Sequence, residues 1–200
     1  MDWRPDGGGS AAGGCHAPPP APAPVVAAPV VPVDFKVVQK RLWGGGGGME
    51  VWDASGGLAF RFATAAGWGR ALLDAAGGVL FTVRSSVETG EWQAFRGNSL
   101  EQKDIIYMAK VISVSSNQKE VHVFMQPRSN FEDMKPSYRL VGNTSRRACT
   151  IISGDSIVSQ TSLLYKLKKV VHSRRKFRVT IYPGNDSILV MAMIMTFLEK

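Results

Sequence analysis

The chain predicts a mainly β domain: a sandwich or barrel of many short antiparallel strands, ending in one apolar helix. Three observations predict it. From about residue 33 onward, turn signals recur roughly every ten residues, the spacing of short strands in an all-β fold. No long amphipathic helix interrupts them, which argues against a parallel α/β architecture. Residues 188–198 (ILVMAMIMTFL) form the most apolar run of the chain and show no polar face at helical spacing. A helix apolar all round is either a core element or a membrane span. A span needs roughly 18 apolar residues, so this shorter run reads as a helix buried inside the protein, with a tail anchor as the rival reading. The upstream strands are then its container.

Residues 1–33 are Gly, Ala and Pro with little else. Such a stretch buries too little apolar surface to offset its chain entropy and is expected to be a disordered tail. Phe35, Val37 and Val38 open an extended segment that runs to Trp43. The glycines at 44–48 lack the spacing of a dinucleotide fingerprint and precede a strand, Glu50-Val51-Trp52, so they read as a loop. Next comes an internal echo. Residues 51–62 (VWDASGGLAFRF) resemble residues 72–83 (LLDAAGGVLFTV): apolar residues, Asp-Ala-x-Gly-Gly, then alternation. Gly supplies the positive φ of a hairpin turn and Asp bonds the turn backbone, so each unit is one hairpin. Their apolar faces read as Leu58/Phe60/Phe62 and Val79/Phe81/Val83. Further strands are predicted over residues 91–97, closing on Gly97, over Ile105–Val114 with a turn at residues 115–118, and at Val121/Val123/Met125. A polar loop over residues 126–136 precedes strands at 138–140, 148–152, 157–160, 163–168 and 177–181.

Length and composition support one sizeable core: 200 residues, 44% hydrophobic. The net charge of +8 favours an anionic partner, either nucleic acid or an acidic membrane surface. The two cysteines, Cys15 in the tail and Cys149 in a strand, predict no disulfide and a reducing compartment. The N-terminus has no secretory pattern. The expected location is therefore intracellular: cytoplasmic, at the inner face of the plasma membrane, or nuclear. The protein is expected to be a monomer.

The order and spacing of several motifs resemble the plant LURP-one-related family, whose fold is shared with the tubby C-terminal domain and the phospholipid scramblases. The residues that carry the resemblance are Val51-Trp52-Asp53 with Gly56-Gly57-Leu58 and Phe60-Arg61; Leu72-Leu73-Asp74 with Gly77 and Leu80; Trp92 with Phe95-Arg96-Gly97; and Phe177-Arg178-Val179 with Tyr182-Pro183 and Asp186. The resemblance covers residues 34–200 and implies a closed antiparallel barrel of twelve strands with the apolar C-terminal helix threaded through its middle. Asp186 or Asn185 would cap the helix. Three features depart from the family pattern: Ser187 stands where an aromatic is usual, Met191, Met193 and Met195 replace branched residues, and the glycine run at 44–48 is an addition. Tubby-type domains bind phosphoinositides through basic residues on the barrel, so the resemblance implies an anionic-lipid ligand. It further implies links to plant defence and to membrane-tethered transcription regulation.

Between Ser156 and Asn185 the chain has no acidic residue and seven basic ones: Lys166, Lys168, Lys169, Arg174, Arg175, Lys176 and Arg178. This reads as a strand, a loop and a second strand. The first six are the candidate headgroup-binding residues, with Arg146-Arg147 joining them if the strands bring the two regions close. Arg binds phosphate bidentately and Lys adds point charge. An ordinary solvated basic hairpin fits the same residues, and so does a nucleic-acid-binding barrel. Enzyme readings have little support. His16, His122 and His172 lack metal-ligand spacing. Cys149 reads as a buried strand residue, and Ser153-Gly154-Asp155-Ser156 reads as a turn. Trp52, Trp68 and Trp92 read as core or rim aromatics. No catalytic residue and no cofactor is predicted, and the expectation is a non-enzymatic module.

Overall fold

The computed structural model describes residues 31–41, 47–65, 69–86, 90–115, 118–125, 135–164 and 176–199. Residues 1–30 of the predicted tail, Trp68, His172 and residues 165–175 of the basic run lie outside the described residues, while Val33, the last residue of the predicted tail, already opens a strand.

Twelve strands occur in order: β1 (Val33–Arg41), β2 (Gly47–Trp52), β3 (Leu58–Ala65), β4 (Gly69–Asp74), β5 (Val79–Ser85), β6 (Trp92–Arg96), β7 (Ile105–Val114), β8 (Lys119–Met125), β9 (Tyr138–Asn143), β10 (Ala148–Ser153), β11 (Ser156–Leu163) and β12 (Lys176–Ile181). Each pairs antiparallel with its sequence neighbours, and β1 pairs with β12, closing the barrel. Closure removes every sheet edge. Helix α1 (Ser187–Leu198) runs through the middle. Twelve residues at about 1.5 Å each span roughly 18 Å, close to the height of a five- or six-residue strand. Residues Val190–Phe197 are all buried, Met191, Met193 and Met195 completely. They pack on inward residues of the wall, among them Val37, Val51, Leu72, Val121, Leu140 and Val179. Met suits this place because its unbranched side chain fills irregular gaps between strands of different register. No described helix is long and apolar enough to cross a membrane.

The helix is less uniform than its sequence reading. Thr196 is fully buried, and its hydroxyl lies 2.8 Å from the Tyr107 hydroxyl and donates to the Ala192 carbonyl at 3.1 Å. This satisfied pair fixes the rotation of the helix against β7. At the helix start Asp186 is the cap: its Oδ1 accepts from Ile188 N at 2.8 Å. Asn185 instead folds the preceding turn, donating to the carbonyls of Tyr182 and Pro183.

The two echoed hairpins are real, and they echo down to a shared defect. In each, the Asp carboxylate accepts from the second glycine's N–H (Asp53–Gly57, 2.8 Å; Asp74–Gly78, 2.7 Å), while Gly56 and Gly77 take φ of 85° and 97°. Each then carries a β-bulge, at Ala59 and at Leu80. A bulge inserts one unpaired residue and reverses the faces beyond it. Leu58 therefore sits opposite Trp52 and Val79 opposite Leu73, while Ala59, Phe60, Leu80 and Phe81 pack on the core. The strict alternation read for Leu58 and Val79 fails for this reason. The glycine run also differs from its loop reading, since Gly47 and Gly48 pair with Arg41 and Lys40 as strand residues.

Candidate functional site: the basic end of the barrel

Alternating turns sort the barrel into two ends. The odd-to-even turns (β3–β4, β5–β6, β7–β8, β9–β10) lie where α1 finishes. The even-to-odd turns and the β12–α1 turn lie where it starts. Charge follows this division. The turns at the helix start carry Asp53, Asp74, Glu101, Asp104, Asp155 and Asp186, with Arg96, Lys103 and Lys135 as the cations there. Among the described residues, the end at the helix finish carries Lys40, Arg70, Arg84, Lys119, Arg146, Arg147 and Lys176, with Glu50, Glu91, Glu120 and Glu199 as acids, Glu50 being paired to Lys40 at 2.6 Å. This polarity matches the helix dipole, whose negative pole is the C-terminus.

Two of these cations hold the end of the helix, and a third ties the wall together. Lys119 begins β8, is 8% exposed, and donates from Nζ to the carbonyls of Phe197 at 3.0 Å and Glu199 at 2.6 Å. The ammonium also lies 5.6 Å from the Phe197 ring centroid. It satisfies carbonyls that the last turn of any helix leaves without intrahelical donors. Burial lowers its pKa from the usual lysine value, opposed by the Glu199 carboxylate and Cys149. Gly142 lies opposite both Lys119 and Cys149, and a Cβ there would collide with the Ala148 carbonyl. Arg70 pairs with Glu199 at 2.8 Å. Arg147 closes the Asn143–Ala148 turn with a left-handed φ of 51° and reaches across to Gln39 Oε1 of β1 at 3.1 Å. Burial lowers the Arg147 pKa too, against Glu199.

The other sequence-predicted residues separate accordingly. Lys176 opens β12, exposed, and its carbonyl accepts from Leu164 N at 3.3 Å. Lys166, Lys168, Lys169, Arg174 and Arg175 lie outside the described residues, but Leu164 and Lys176 on either side of them stand at the basic end. Arg146 joins that end as an exposed cation; Arg147 is a strut and not a surface group. Arg178 is drawn away to Asp34 on the outer wall, 3.5 Å off. Cys149 is buried, with its thiol pKa pushed up by desolvation. His122 packs on the outer wall beside Glu120, at 2.9 Å. Sequence reading missed Lys119. Its signal was parity: Lys119 falls in step with the inward Val121 and Val123.

Between these turns lies a cleft of about 460 Å³, lined by Trp92, Val111, Val114, Gln118, Lys119 and the Asn143–Ser145 turn, with Glu199 at its floor. Trp92 belongs to the buried core, 9% exposed, where it borders the cleft.

A closed twelve-stranded antiparallel barrel built around a capped, fully apolar helix defines the class of protein. The particular family follows from comparison. The LURP-one-related family profile matches residues 33–198, and this chain belongs to that family. It is 34% identical over 170 residues to Protein LURP-one-related 7 of Arabidopsis thaliana, covering 84% of this chain and 90% of that one. It is 28% identical to Protein LURP-one-related 15 of the same plant, covering 82% and 77%. A solved X-ray structure of an Arabidopsis thaliana protein superposes with a TM-score of 0.60 at 28% identity, over 86% of this chain and 91% of that chain.

Proposed function

We propose that this chain is a non-enzymatic module that tethers to membranes by binding anionic phospholipid headgroups, a phosphoinositide or phosphatidylserine, at the end of the barrel where the helix finishes. The observation that carries the reading is the charge division. Five cations of the acid-free run fall between Leu164 and Lys176, which stand at that end, and the exposed Arg146 and Lys176 add to them. Each cation near an anionic surface contributes about 1 kcal/mol, so a handful is enough for reversible attachment. The inner face of the plasma membrane is the matching location, and a monomer suffices. Roles in plant defence and in membrane-tethered regulation of transcription, which the likeness to tubby-type proteins suggests, would follow from such tethering.

The test is charge reversal of Lys168, Lys169, Arg174 and Arg175 together, measured on phosphoinositide vesicles and on DNA across salt concentrations. Wild-type vesicle binding should weaken as salt rises, and the reversal should abolish it. Vesicle binding that survives reversal unchanged rejects these residues as the site. Binding to DNA but not to vesicles would assign the charge to nucleic acid.

A further inference from the structure

The basic end also carries an apolar feature that charge alone does not explain. Val114 is 71% exposed and Ile112 is 48% exposed, both at the tip of the β7–β8 hairpin. A closed barrel has no sheet edge there for an apolar residue to protect. Ile112 is itself a bulge residue, skipped between the Val111–Val121 and Ser113–Glu120 pairs, so the tip presents side chains in more than one direction. The next hairpin in the wall, β9–β10, carries the exposed Ser145 and Arg146, and both hairpins border the same cleft, whose lining includes Val111, Val114 and Trp92. Exposed apolar residues beside cations on one rim match the boundary between headgroups and acyl chains, where cations sit at phosphate level and apolar side chains go deeper. The tip and the exposed Arg146 and Lys176 lie at the same pole of the barrel, so one approach engages them together.

Resting on the lipid reading above, we infer that the β7–β8 tip is a membrane-insertion device: Ile112 and Val114 enter the interfacial layer of an anionic bilayer, and the barrel docks with the C-terminal end of its helix toward the membrane. The charged run supplies attraction over distance. The tip supplies depth and fixes orientation.

Two experiments test this, with phosphatidylserine/phosphatidylcholine vesicles as the probe. In the first, Ile112→Asp/Val114→Asp should lower vesicle partition by about tenfold or more while leaving the melting temperature unchanged, because both positions are exposed. In the second, on a Cys15→Ser background, an environment-sensitive fluorophore at Val114→Cys should shift to the blue on adding vesicles. The same fluorophore at Ile157→Cys, an apolar position 46% exposed at the opposite end, should not. Salt-sensitive binding that the double aspartate leaves intact, or a shift at 157 but not at 114, overturns the insertion while sparing the lipid reading. No wild-type vesicle binding overturns both. A concentration-dependent dimer in the absence of vesicles, lost in the double aspartate, would give the tip to a second copy of the chain and overturn it as well.

Discussion

The two ends of this barrel are built from the same kind of turn, yet they use charge in opposite ways. At the helix start, the carboxylates of the turns stay local, whereas Asp34 of β1 accepts from Thr180 of β12. Asp53 and Asp74 close their own hairpins, Asp186 caps the helix, and Asp104 accepts from Ser99 at 2.6 Å. At the helix finish, cations reach far along the sequence. Lys119 bonds carbonyls 78 and 80 residues away, and Arg147 bonds a residue 108 positions earlier. Short side chains organise the turn they belong to; long ones cross a mouth. A consequence is that Asp53, Asp74 and Asp186 at the acidic end are engaged in shaping the backbone. The basic end uses Lys119 and Arg70 to hold the helix and Arg147 to tie the wall, and has exposed cations left for a partner.

The largest break in this arrangement removes what the ends share. Met191→Asp should cost about 3–5 kcal/mol or more, because it places an unpaired charge in a fully buried position. Both ends should melt together in a urea titration, or no fold should form. Next come the ends themselves. Lys119→Met should cost about 2 kcal/mol by leaving two carbonyls without their donor, and Asp186→Ala about 1 kcal/mol as a lost cap. Equal losses in chemical denaturation would erase the asymmetry. The smallest effect is a pH dependence. The Ser55 hydroxyl and then the Gly57 N–H hold the Asp53 carboxyl below its ordinary value of 3.8. A depressed folded pKa gives stability that is full above that value and lost as pH falls through the folded one. Asp53→Asn should therefore be slightly less stable than the wild type at neutral pH, with the difference vanishing in acid.

How much of this was legible beforehand follows from the physics of each feature. The strands, the turns, the buried helix and its cap are written in local pattern: alternation, Asp-Gly pairs and an unbroken apolar run. The bulges at Ala59 and Leu80 are not, because nothing in an apolar run marks which residue will go unpaired. Twelve-strand closure came from family resemblance, since local pattern left sandwich and barrel equally open. The basic run was visible as composition. Its split into struts and surface groups was not, because Arg146 and Arg147 are adjacent and identical in type, and only the left-handed φ of Arg147 turns one of them inward. Lys119 was readable by parity, but a lysine at an inward position is normally discounted as the start of a strand.

The central claim is that one end of the barrel meets the membrane and the other does not. Hydrogen exchange with and without phosphatidylserine vesicles measures this directly. The account predicts new protection over residues 111–119 and 143–148, and unchanged exchange at the Asp53–Gly57 and Ser153–Ser156 turns. Protection at the acidic turns, or equal protection at both ends, would contradict it.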